Sequence, residues 1–166
     1  LMLAISLMRN LLRVDYAAET QSLASELPSG QPIVNHTVAV SQETVIGQSL
    51  RDFKNQHHSN VIFGRLRHGD TNSLCHYDMV FESGDLISIT GEIPEVERIS
   101  VLLGHTVEQD LSDDHSAFAM RRIVVSNPKV AGKTVASLNL SEHFPVVLTR
   151  LRRGDIDSLV HPDTVL

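Results

Sequence analysis

From Thr37 onward the chain alternates short β-branched runs with polar turns. Thr37–Val40 predicts a strand, and after a polar turn Gly47 leads into a brief helix carrying Leu50 and Phe53. Asn60–Arg67 predicts a second strand, with Val61, Phe63, Arg65 and Arg67 on one face and Ile62, Gly64 and Leu66 on the other. Its first half is apolar on both faces, as a buried strand is. Gly69-Asp70 predicts a tight turn, because Gly accepts positive φ and Asp can bond its own backbone. Beyond Phe81, the turn Glu82-Ser83-Gly84-Asp85 introduces a strand over Leu86–Thr90 and a helix over Pro94–Leu103. In that helix Val96, Ile99, Leu102 and Leu103 recur at helical spacing, while Glu95, Glu97 and Arg98 face water.

The same order of signals returns 85 residues later, so that residues 38 to 81 align with 123 to 166 without a gap. Sixteen of the 44 positions are identical, far more than unrelated segments share. They include Ser41/Ser126, Val45/Val130, Gly47/Gly132, Arg65/Arg150, Gly69/Gly154, Asp70/Asp155, His76/His161 and Asp78/Asp163. Many differences exchange one apolar residue for another, as in Val38/Ile123, Leu50/Val135, Phe53/Leu138, Ile62/Val147 and Phe63/Leu148. A shared burial pattern implies a shared fold, so the second copy should place a strand at Ile123–Val125 and a helix around Val135 and Leu138. That copy reaches only Leu166, the counterpart of Phe81, and so lacks the last strand and helix. Sheet edges left unpaired are normally avoided, so the natural polypeptide is expected to continue. Residues 105 to 118, polar and acidic, read as a connector.

Composition adds bounds. With 42% hydrophobic and 20% charged residues the chain can bury a core, and its net charge of -6 argues against a general nucleic-acid or anionic-membrane binder. The lone Cys75 can form no intrachain disulfide, which points to a reducing compartment. Residues 1 to 14 are strongly apolar but carry Arg9 and Arg13 and fall short of the roughly 20 residues a membrane span needs. They fit the cytoplasmic end of a longer membrane helix, an amphipathic packing helix or an appended leftover. Residues 15 to 32 turn polar and end as a linker.

No catalytic set emerges. Ala131-Gly132-Lys133-Thr134 resembles the end of a phosphate loop, but Asn127 stands where such a loop needs its first glycine, so a plain turn is preferred. His57-His58 and the group His105, Asp110, Asp113, Asp114 and His115 lack metal-ligand spacing and read as solvated surface. His76 and His161, which recur with Asp78 and Asp163, read as turn residues. The sharpest candidates are Arg65, Arg67 and His68 with their counterparts Arg150, Arg152 and Arg153. Arginines two apart on a strand share a face, and guanidinium groups bind carboxylate or phosphate with two parallel bonds, so the two sets could line a cleft for an anionic effector. The competing reading has them paired with Asp70 and Asp155 or flanking a dimer contact.

The Val-rich strand, the turn Gly47 to Leu50, the strand ending in Arg and the string Asp-x5-Gly-Asp-x5-Gly from Asp78 to Gly91 together resemble the TrkA-C domain, also called the RCK C-terminal domain. The resemblance covers residues 33 to 104 and, as a truncated copy, 119 to 166. Two such domains behind an apolar segment resemble the cytoplasmic insert of the aspartate-alanine exchanger family of transporters. The resemblance implies an α+β fold of two tandem units, each strand-helix-strand-strand-strand-helix, the second cut after its third strand. The divisions expected are an N-terminal helix and linker (1–32), a first domain (33–107), a connector (108–118) and a second domain (119–166). It further implies a regulatory, ligand-sensing pair on the cytoplasmic face of the inner membrane, with no enzyme activity and no cofactor. The partners expected are a second copy in a homodimer, the transmembrane part of the same polypeptide and a small anionic ligand. A purely structural dimerisation module is the alternative.

Overall fold

The computed structural model describes residues 32–166; the apolar segment and most of the linker expected before them lie outside the described residues. Strand β1 (Ile33–Val40) is followed by helix α1 (Leu50–His57), β2 (Ile62–His68), β3 (Thr71–Leu74), β4 (Leu86–Glu92), helix α2 (Ile93–Leu103) and β5 (Gly104–Val107). These strands form an antiparallel sheet in the order β3-β2-β4-β1-β5. The fold is α+β.

Each helix begins where its sequence supplies a start. The Ser49 hydroxyl accepts the Asp52 amide at 3.1 Å to cap α1, and Pro94 sits in the first turn of α2, where its missing N–H costs nothing. Both helices turn their apolar stripes onto one sheet face. Leu50 and Phe53 of α1 and Val96, Ile99 and Leu103 of α2 join Val38, Val40, Phe63, Ile87 and Ile89 in a single core. Phe53 lies at its centre, with ring centroids 5.4 Å from Phe81 and 6.0 Å from Phe63, both edge to face.

Strand β2 departs from simple alternation. Its register against β4 shifts between Phe63 and Leu66, a β-bulge that inserts one residue and brings both side chains to the core. Phe63 and Arg65 therefore do not share a face, contrary to the two-residue periodicity. Gly64 permits the bulge, because a Cβ there would stand 2.7 Å from Ser88 Oγ, the atom that accepts the Arg65 amide at 2.7 Å.

The opposite sheet face is polar. Thr37, Ser88 and Thr90 are buried on it, and the segment after β5 covers them. That segment is more ordered than a connector read from polarity alone. Residues 104–107 extend the sheet as β5, and a short 3-10 turn, Leu111–Asp113, buries Leu111 while its amide donates to Thr37 Oγ1 at 3.0 Å.

In the second copy the local hydrogen bonds of the first recur at the same offset. The Gly47 amide donates to the Phe81 carbonyl at 2.8 Å, and the Gly132 amide to that of Leu166 at 2.7 Å. Leu50 to Met79 is matched by Val135 to Thr164, and Arg51 to Tyr77 by Ala136 to Pro162. The hairpin pairing Arg65 with Leu74 is matched by β6 (Arg150–Arg153) against β7 (Ile156–Leu159), with Gly69 and Gly154 at φ of 55° and 59° in the turns.

Two expected elements change. The helix around Val135 and Leu138 splits into a 3-10 turn (Ala136–Leu138) and a single turn α3 (Leu140–His143), because Asn139 adopts the left-handed conformation that Asn tolerates. The strand expected at Ile123–Val125 does not form, and Ile123 and Val124 are 79% and 80% exposed. Its counterpart β1 is held by hydrogen bonds between β4 and β5, whereas residues 123–125 pair with no strand.

Candidate functional site

A cleft of about 720 Å³ lies between the two copies. Its walls are built from equivalent positions: Leu50 with Val135, Val61 with Val146, Ile62 with Val147, Phe63 with Leu148, Cys75 with Val160, and His76 with His161. In the first copy these positions lie at the start of α1, at and just before the start of β2, and on the segment after β3. The volume is that of a small-molecule site, and aliphatic walls with a few polar groups suit one.

The polar groups are unevenly distributed. Arg51 pairs with Asp78 at 2.8 Å and lies over the Tyr77 ring at 5.6 Å, and this hydrogen bond, reinforced by charge, holds the Asp78 carboxyl below its ordinary range. Lys54 is half-buried. Its ammonium donates to the Val61 carbonyl at 3.1 Å and stands 5.6 Å from the centre of the Phe63 ring. Burial pushes Lys54 below the ordinary lysine value, and among the described residues no carboxylate pairs with it. Ser59 Oγ is enclosed at the same wall without a hydrogen-bond partner. At the matching positions the second copy carries Ala136, Asn139 and Phe144. Cys75 is half-buried, and desolvation of its sulfur together with the nearby Asp85 pushes its thiol up to about 12, a form too protonated for nucleophilic chemistry.

The six basic residues singled out from the sequence lie elsewhere. The Arg65 guanidinium donates to the carbonyls of Leu111, Asp114 and Phe118 at 2.6, 2.5 and 3.1 Å, fastening the covering segment to the sheet. Arg67 donates to Gln109 Oε1 at 2.8 Å. His68 Nδ1 lies 2.7 Å from Asp85 Oδ1, a hydrogen bond that, with the Glu82 and Asp85 charges, raises the imidazole above its ordinary value. Arg150 donates to the Ile33 carbonyl at 3.1 Å, Arg152 pairs with Asp157 at 2.7 Å, and Arg153 donates to the Val165 carbonyl. The acidic partners are thus Asp85 and Asp157, and none of the six side chains lines the cleft. Asp114, hydrogen-bonded by Ser116 and then Asn72, is held down at about 2. Among the described residues no three His, Cys, Asp or Glu side chains gather as a metal site requires. The segment resembling a phosphate loop is a turn, with Gly132 at φ 79° and the Lys133 amide bonded back to Val130.

No family model matches the chain. It is 37% identical over 164 residues to an uncharacterized transporter of Geobacter sulfurreducens, a match that covers 99% of this chain and 30% of that protein. An uncharacterized transporter of Symbiobacterium thermophilum is 36% identical over 165 residues, again covering 99% and 30%. The chain therefore spans about 30% of the length of the curated relatives it matches. Among solved structures, the RCK C domain of the potassium transport protein KtrA, in complex with cyclic diadenosine monophosphate, is similar at a TM-score of 0.37 and 18% identity. That match covers 52% of this chain and 94% of that one. Among the described residues no helix is long and apolar enough to cross a membrane.

Lys54 and Ser59 were missed by motif reasoning, yet the pattern of α1 carried a trace of the lysine. Leu50, Phe53, Lys54 and His57 occupy i, i+3, i+4 and i+7, so Lys54 fills a slot where an amphipathic helix would place an apolar residue. Ser59 left no such trace, because its isolation depends on the packing around the end of α1.

Proposed function

We propose that residues 32–166 are a paired regulatory unit of a membrane transport protein, on its cytoplasmic face, and that a small ligand held between the two copies biases the conformation of the attached transporter. The observation that carries this reading is the cleft walled by equivalent positions of both copies. A ligand seated there touches both at once, so its affinity depends on how they are disposed, which is what a shift in populations requires. The matches over 99% of this chain to proteins named transporters, and the resemblance at Gly47–Leu50 and Asp78–Gly91, support the attachment.

The test is a Trp at Val147, which would fill the cleft. In the transporter that carries this unit, reconstituted in vesicles, Val147→Trp should change the dependence of transport on cytoplasmic small molecules. In a thermal-shift screen of nucleotides, amino acids and organic acids, it should abolish any stabilisation seen with the parent chain. Unchanged transport together with an unchanged screen would defeat the reading. A structural module that joins two copies of the chain is the second reading, and the exposed run Met120, Ile123, Val124 and Val125 favours it. Sedimentation that detects a concentration-dependent dimer, lost in Val124→Lys, would support that one.

A further inference from the structure

The two halves of the cleft share a backbone but not a chemistry. On the first copy Lys54 presents an ammonium, half out of water, with one carbonyl partner and two donors left over. The other cation of the lining, Arg51, is already joined to Asp78. The second copy has Asn139 in place of Lys54 and Ala136 in place of Arg51, and its contribution around them is aliphatic: Val146, Val147 and Leu148. A desolvated cation facing an apolar wall is complementary to a molecule with one negative end and a hydrocarbon body.

Resting on the reading that the cleft is a ligand site, we propose that it takes an aliphatic carboxylate in one orientation, the carboxylate on Lys54 and the chain against Val146–Leu148. An anion there gives Lys54 the charged partner it lacks, and the Ser59 hydroxyl, enclosed without a hydrogen-bond partner, belongs to a residue of the same wall. The hydrocarbon body removes apolar surface of both copies from water, so each added methylene should tighten binding by roughly three- to fourfold until the cleft is filled. A ligand charged at both ends is disfavoured, because the second carboxylate would lie against the aliphatic side chains of Val146, Val147 and Leu148.

Calorimetric titration of the 166-residue chain with octanoate, octanol, octylamine and octanedioate tests this. Octanoate should bind most tightly, with octanol and octanedioate each at least about tenfold weaker and octylamine weakest. Lys54→Met should bring octanoate down to the level of octanol, and Lys54→Arg should restore its preference. Asn139→Lys, which places a second cation at the equivalent position, should improve octanedioate by about tenfold relative to octanoate. Circular dichroism confirms that each variant is folded. Octanol or octylamine binding as well as octanoate, an unaltered octanoate affinity in Lys54→Met, or no binding of octanoate overturns the assignment. If octanoate fails while another compound binds and is blocked by Val147→Trp, only the carboxylate falls and the cleft reading stands. If octanoate binds regardless of Val147→Trp, both fall.

Discussion

Replacing Arg65 with Ala should release the segment that covers the polar sheet face while leaving the core closed. Its guanidinium makes three hydrogen bonds to carbonyls of that segment, with a half-buried charged donor. Bonds of this kind contribute about 1.5–3 kcal/mol each, but the freed carbonyls of a surface segment regain water, so the losses do not add. Leu111, buried in its own right, keeps a second anchor. The local opening free energy should therefore fall by about 2–4 kcal/mol, which speeds amide exchange by roughly 30- to 1000-fold. Hydrogen exchange at Leu111 and Ser112, whose amides donate to Thr37 Oγ1 and Asp110 Oδ1, reads this directly, with Ile87 and Ile89 of the central strand as internal controls. Arg65→Lys keeps the charge but loses the fork and should fall between the two. Unchanged exchange at Leu111, or equal acceleration at Ile87 and Ile89, would refute the reasoning. The same amides test whether Arg65 can serve an anion instead, since phosphate that claimed the guanidinium would loosen the segment in the parent chain.

Three further outcomes follow from the packing and the charges. Phe53→Ala, at a fully buried site among two aromatic rings, should cost about 3–5 kcal/mol in urea denaturation, whereas Leu138→Ala at the equivalent half-buried position should cost under about 2; equal losses would contradict the uneven cores of the two copies. Because the His68 pKa is raised on folding, its contribution is complete below about pH 6.5 and is lost as pH rises through the higher folded value. The melting temperature should thus decline relative to His68→Gln between pH 6 and 8, and a constant difference across that range would refute the assignment. The Cys75 thiol, pushed up to about 12 by burial, should resist a disulfide reagent at pH 8 until the chain opens, a claim lost if it reacts at the rate of a free thiol.

Much of the first copy was legible because its signals are local. The capping Ser49, the Gly69 turn and the helical spacing of Val96, Ile99 and Leu103 each act within a few residues. The bulge in β2 was not, since alternation assumes a regular strand and the displacement depends on Ser88, more than twenty positions away, meeting the Arg65 amide. The internal repeat forecast the turns and the hairpin of the second copy but overstated its strands. Ile123–Val125 has the composition of a strand, yet a strand exists only with a neighbour to bond, and β1 has two that its counterpart does not meet. Side-chain type and spacing mark the arginines as anion binders but say nothing of the backbone carbonyls that hold Arg65, Arg150 and Arg153. A cleft between copies is a property of their arrangement, and only the misplaced lysine in the apolar stripe of α1 hinted at it.

Strand β2 connects the two places where regulation could act. Its first residues, Ile62 and Phe63, wall the cleft together with Val61 just before them; its later ones, Arg65 and Arg67, hold the segment that leads to the second copy. The bulge lies between them, at Gly64 and Arg65. On the proposed reading, a ligand that draws the second copy toward Val61–Phe63 acts on one half of this strand, and the tension in the connecting segment is borne by the other. A stiff strand alone transmits nothing unless two arrangements differ in energy, so the coupling must show as a difference in ligand affinity when the segment is freed. Octanoate affinity in Arg65→Ala measures that difference. A shift of about fivefold or more, with Lys54 and the cleft walls untouched, would place the coupling free energy at roughly 1 kcal/mol or above, and an affinity equal to that of the parent would separate the cleft from the segment altogether.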